Sequence, residues 1–100
     1  MKEIITKSQK SEMGSGFGYL KFKTNTTLEQ VLKFYSKNNK SWGTITIFNK
    51  NKKIERLFDY DTYNNNKFYH NLNHWFYSEK VDKVEFSYCY MKKDIIIYLK

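Results

Sequence analysis

Proline is absent from this chain, and cysteine, arginine and glycine are nearly so: one Cys, one Arg and four Gly in 100 residues. With so little proline and glycine the chain belongs to neither the collagen-like nor the low-complexity class. Cys89 stands alone, so it cannot close an internal disulfide, and its place in an alternating apolar pattern suits a reduced packing residue rather than redox chemistry. Long hydrophobic runs are missing too. The longest, Ile95-Ile96-Ile97-Tyr98-Leu99, falls far short of the roughly 20 residues a membrane helix requires. Met1 to Lys7 includes Glu3 and only two consecutive aliphatics, which is not the apolar centre of a signal peptide, so cytoplasmic residence is the expectation.

What the sequence has in quantity is aromatics, at 19%, and lysine. The hydrophobic fraction of 40% is enough for one core, and no linker or repeat divides the chain, so a single domain over residues 1–100 is expected, with 1–16 partly flexible. The net charge of +8 is uneven: nine lysines against Glu3, Glu12 and Glu29 give +6 in residues 1–50, and nine cations against seven acids give +2 in 51–100. A basic surplus of this kind favours anionic partners.

Phe17 to Thr24 alternates as a strand, with Phe17, Tyr19, Lys21 and Lys23 on one face and Leu20 and Phe22 on the other. Thr26 with Glu29 and Thr27 with Gln30 form two overlapping capping boxes, after which Leu28, Val31, Leu32 and Tyr35 recur at helical spacing towards a stop at Asn38-Asn39. Trp42–Phe48 and Lys53–Tyr60 make a hairpin around Asn49 to Lys52. A second helix is expected on Phe68, Leu72, Trp75 and Phe76, then strands on Val84 to Tyr90 and Ile95 to Leu99, with a short extra strand at Ile4-Ile5. This order predicts an α+β, ferredoxin-like βαββαβ sandwich with both helices on one sheet face and an extra C-terminal antiparallel strand.

The segment Gly16-Phe17-Gly18-Tyr19-Leu20-Lys21-Phe22 resembles the longer signature octapeptide of RNA recognition motif domains, matching seven of its eight positions. Ser15 stands where that family has Lys or Arg, and the octapeptide lies on the family's third strand. Ile45-Thr46-Ile47-Phe48-Asn49 has the aliphatic spacing of the family's shorter signature, but a threonine in place of its stacking ring. The resemblance implies that Phe17 and Tyr19 stack on bases, with lysines meeting phosphates.

Other motifs are fragments. Gly14, Gly16 and Gly18 run into a strand rather than a helix, unlike a phosphate-cradling loop. His70 and His74 share a helical face without an evident third metal ligand. Asp59 and Asp61 with Asn64 to Asn66 lack the glycine and terminal glutamate of a calcium loop. No nucleophile–base arrangement emerges, so neither catalysis nor a cofactor or metal is expected.

These observations point to a small binding module. The first expectation is single-stranded nucleic acid, held by Phe17, Tyr19, Lys21, Lys23, Lys33, Lys37 and Lys40, with the shortage of arginine arguing against direct reading of duplex guanines. The alternative is a protein-binding accessory or inhibitor of the phage, plasmid or immunity type, docking on an acidic protein surface through its aromatics or an edge strand. It is expected to be a monomer or an edge-strand homodimer, with Ile95 to Leu99 the foremost candidate edge.

Overall fold

The computed structural model describes the backbone of residues 4–12, 14–38, 40–62 and 76–100, and the side chains of 14–37, 40–62 and 76–100. Six strands and one α-helix follow one another as β1 (Ile4–Glu12), β2 (Ser15–Phe22), α1 (Leu28–Asn38), β3 (Trp42–Asn49), β4 (Ile54–Asp61), β5 (Val81–Cys89) and β6 (Lys92–Leu99). Of the two expected capping boxes the second closes at the helix start: the Thr27 amide donates to Gln30 Oε1 at 2.9 Å and the Gln30 amide to Thr27 Oγ1 at 3.3 Å. Two further amides of the first turn, on Leu28 and Glu29, donate to the carbonyls of Glu79 and Tyr77, which ties the helix start to the chain entering β5.

The strands lie in the order β1-β2-β5-β6-β3-β4. Strands β2 to β6 make a mixed sheet, in which β6 runs antiparallel to β5 and parallel to β3, while β1 pairs antiparallel with the outer side of β2. This overturns the ferredoxin-like expectation. The last strand is neither a decoration nor an edge but lies between β5 and β3, so it cannot add to a partner's sheet; the outer strands are β1 and β4. The physical reason is that alternation over Ile95 to Leu99 fixes which side chains face the core but not which strands flank this one, and pairing with both β5 and β3 satisfies the backbone groups on both of its edges. The likeness to RNA recognition motif domains therefore stops at the β2 segment. Phe68, Leu72 and Trp75 of the expected second helix lie outside the described residues, and α1 is the one α-helix among those described.

The core occupies one side of the sheet. Leu28, Val31, Leu32 and Tyr35 of α1 are buried against Leu20 and Phe22 of β2, Val84 of β5, Ile95 and Ile97 of β6, and Ile45 and Ile47 of β3, with Phe76 completing the cluster. Full burial of an aliphatic side chain of this size contributes about 1.5–3 kcal/mol. The Tyr35 ring fills the same layer, and burial drives its hydroxyl pKa well above the ordinary value. At the far end of the hairpin the Tyr60 hydroxyl donates to the Lys93 carbonyl at 2.6 Å and lies 3.0 Å from the Ser41 hydroxyl, fastening β4 to β6 across β3.

Gly43 makes this close approach possible. Its φ of +152° suits glycine, and a Cβ there would lie 2.1 Å from the Lys93 carbonyl oxygen. No other residue fits without separating β3 from β6 where their parallel pairing begins.

Candidate functional site

The side of the sheet away from α1 carries no covering layer among the described residues, and the register arranges its side chains in rows. Tyr19 of β2 pairs with Glu85, Glu85 with Ile96, Ile96 with Thr46, and Thr46 with Leu57 of β4, so one row crosses five strands. The row on one side of it contains Lys21, Lys83, Tyr98, Phe48 and Glu55; the row on the other begins with Phe17, Ser87 and Asp94. Alternation decides the occupants, since residues two apart on a strand share a face. That is why Phe17 and Tyr19 point away from Leu20 and Phe22.

Large apolar side chains lie open on this face. Phe17 is 60% exposed, Tyr19 43%, Trp42 48% and Leu57 67%. Phe17, Tyr19 and Ile96 border a shallow concavity of about 450 Å³, with Lys83, Glu85 and Asp94 also at its wall. Phe17, Tyr19 and Ile96 adjoin one another there, and exposed apolar patches rimmed by polar residues mark interaction sites.

Charges of both signs are threaded between the apolar groups. Lys83 Nζ lies 3.3 Å from Glu85 Oε1 and 5.3 Å from the centre of the Tyr98 ring. The Tyr98 hydroxyl donates to Glu85 Oε2 at 3.4 Å; partial burial, then the Glu85 carboxylate, raises its pKa from the ordinary tyrosine value. Asp94 accepts from the Thr44 amide at 3.1 Å and the Thr44 hydroxyl at 2.9 Å, which fixes its carboxylate at the concavity wall. Lys21, Lys83 and Lys92 thus share the face with Glu55, Asp59, Asp61, Glu85 and Asp94, among the described residues a balance that leans acidic despite the basic chain.

Of the residues proposed from sequence, Phe17, Tyr19 and Lys21 stand together on β2 and are all exposed. Lys23 follows just past the end of that strand. Lys33 and Lys37 belong to α1, on the opposite side of the sheet, where Lys33 pairs with Glu29 at 3.0 Å, and exposed Lys40 falls in the link from α1 to β3. The sheet therefore separates the helix lysines from the rings they were expected to serve. Leu57, Ile96, Glu85 and Asp94 are the additions. The alternating pattern of their strands placed each of them opposite a core residue, but not beside Phe17 and Tyr19, because that requires the strand order.

Cys89 is exposed on β5. His70 and His74 lie outside the described residues, and no group of three or more His, Cys, Asp or Glu side chains is placed to hold a metal among those described. No helix among the described residues is long and apolar enough to cross a membrane. No protein-family model matches the chain, and comparison with curated proteins and with solved structures finds no match to either.

Proposed function

We propose that this chain is a non-catalytic protein-docking module whose contact surface is the open face of the sheet. The observation that carries the reading is the run of exposed Phe17, Tyr19, Trp42 and Leu57 across that face, interleaved with lysines and acids. Aromatic anchors in an apolar centre, bordered by charges of both signs, are what protein interfaces use. A polyanion needs a surface of one sign, and Glu85 and Asp94 beside the rings oppose phosphates where bases would stack.

Single-stranded nucleic acid is the second reading, favoured by one observation: Phe17, Tyr19 and Lys21 are exposed together on one strand face, as a stacking platform requires. Two measurements separate the readings. Labelled oligo-dT and oligo-U, titrated with the protein at low and physiological salt, should show no binding that both survives the higher salt and depends on Phe17 and Tyr19. Benzoylphenylalanine placed in turn at Phe17, Tyr19 and Leu57 should give one and the same protein adduct on irradiation in cells, and none when placed at Lys37 on the helix side. Salt-resistant, ring-dependent oligonucleotide binding, or a nucleic-acid adduct from the Phe17 position, would establish the second reading instead. An adduct pattern indifferent to position would remove the docking face altogether.

A further inference from the structure

Resting on that docking reading, we infer that the occupant of the open face is a second copy of this chain, packed face to face about a two-fold axis that runs along the strands.

The argument is the lateral polarity of the rows. Lys21 and Lys83 stand at the β2–β5 side of their row, and Glu55 stands at the β4 side of the same row. In the next row the concavity bordered by Tyr19 and Ile96 lies on the β2–β5 side, and Leu57, the most exposed aliphatic of the face, lies at the β4 side. A two-fold axis parallel to the strands leaves each row at its own height and exchanges its two sides. It therefore brings Glu55 of one copy over Lys21 of the other, and Leu57 of one copy over the other's concavity, each contact occurring twice, while Ile96 and Tyr98 of β6 meet their own copies on the axis and the like-charged Lys92 and Asp94 pairs there oppose the contact. No different axis does both: a two-fold across the strands would exchange the rows themselves and set Lys21 against the row of Ser15, Lys92 and Trp42.

Size and geometry agree. The five strands from β2 to β4, about 4.8 Å apart and each of about eight residues rising about 3.4 Å, make an overlapping face about 19 Å by 24 Å, or about 450 Å² per copy. Two such faces, about 900 Å² together, fall below the area of permanent interfaces and correspond to a weak, reversible dimer. Two twisted sheets packed with their strands nearly aligned form the ordinary β-sandwich, and self-complementarity of one patch is what a two-fold dimer requires.

Sedimentation equilibrium of the full chain, from low micromolar to millimolar concentration, tests the inference directly. The expected result is a monomer–dimer equilibrium with no larger species, shifted at least tenfold towards monomer by Leu57→Asp. Lys21→Glu alone and Glu55→Lys alone should each weaken the dimer, and the two together should restore it. About 19 Å separates β2 from β4 across four strand spacings, so restoration cannot arise within one chain. All three positions are exposed, and circular dichroism checks that each variant keeps its fold. As a second measurement, Tyr19→Cys with Leu57→Cys in a Cys89→Ser background should form a disulfide-linked dimer under a glutathione buffer, while either cysteine alone should not, because the same distance forbids the bond inside one copy.

A chain that remains monomeric throughout, or a dimer indifferent to Leu57→Asp and to the charge exchange, overturns the inference. If the monomeric chain nevertheless gives a position-dependent adduct with a different protein, the docking reading stands and only the second copy is excluded. If it gives no such adduct, both fall.

Discussion

The two faces of this sheet are built from the same strands yet have opposite surroundings. On β2, Leu20 and Phe22 are buried while Phe17 and Tyr19, each three residues earlier, are exposed rings. On β6, Ile95 and Ile97 are buried and Ile96 between them lines the open concavity. Apolar character alone does not decide which side becomes the core. The helix does: its Leu28, Val31, Leu32 and Tyr35 stripe settles on the face that carries no charged side chain at its centre, where aliphatic residues and the Phe22 and Phe86 rings pack closely, and leaves outside the face in which rings alternate with charges.

The contrast can be broken most sharply by overfilling the buried face. Gly43→Ala drives a methyl group into the Lys93 carbonyl and is expected to cost about 4 kcal/mol or more, read as loss of cooperative unfolding in urea. Emptying the same face by Ile97→Ala should cost about 3–4 kcal/mol, while Leu57→Ala on the open face should change monomer stability by less than about 0.5 kcal/mol. Equal losses at the two positions would mean that the open face is as buried as the other.

Tyr60 sharpens the comparison through pH. Burial, helped by the Asp94 carboxylate and partly offset by the Ser41 hydrogen bond, pushes its pKa up to about 12. The unfolded chain gives up this proton near the ordinary value of about 10, so the folded state holds more protons above that point. The stability that Tyr60 contributes is fully present below about pH 10 and is lost as the pH rises towards 12. Thermal unfolding followed across that range should show the decline. Tyr60→Phe should flatten it in part, at a cost of about 1 kcal/mol at neutral pH from the lost bonds to Lys93 and Ser41. A smaller effect, about 1 kcal/mol or less, is expected of Thr27→Ala, which opens the capping box while touching neither face.

A stretch of this sequence is legible wherever it contains its own physics. The Thr27–Gln30 box and the Leu28–Tyr35 stripe specify α1 without help from the rest of the chain, and the Asn49 to Lys52 turn specifies its hairpin. Strand order was not legible, because alternation says which residues share a face of a strand but not which strands are neighbours. That ambiguity sent Ile95 to Leu99 to an edge and suggested a ferredoxin-like sheet. The candidate face suffered in the same way. Phe17, Tyr19 and Lys21 emerged from one strand, but Lys33 and Lys37 were joined to them by sign of charge alone, and Leu57 and Ile96 became neighbours only through pairings with strands far away in sequence.

The parallel pairing of β6 with β3 also governs how quickly the native state can be reached. Ile45 faces Ile95 and Asn49 faces Leu99, so every pair along that seam spans the same 50 residues of chain. The hairpins β1–β2, β3–β4 and β5–β6 each close over a short loop, within about microseconds for such local structures. The seam that unites them must wait for a long loop to be drawn in, with its entropy lost before any contact repays it. Refolding after dilution from denaturant should therefore be limited by that single encounter, with hairpins forming and dissolving many times before β6 finds β3.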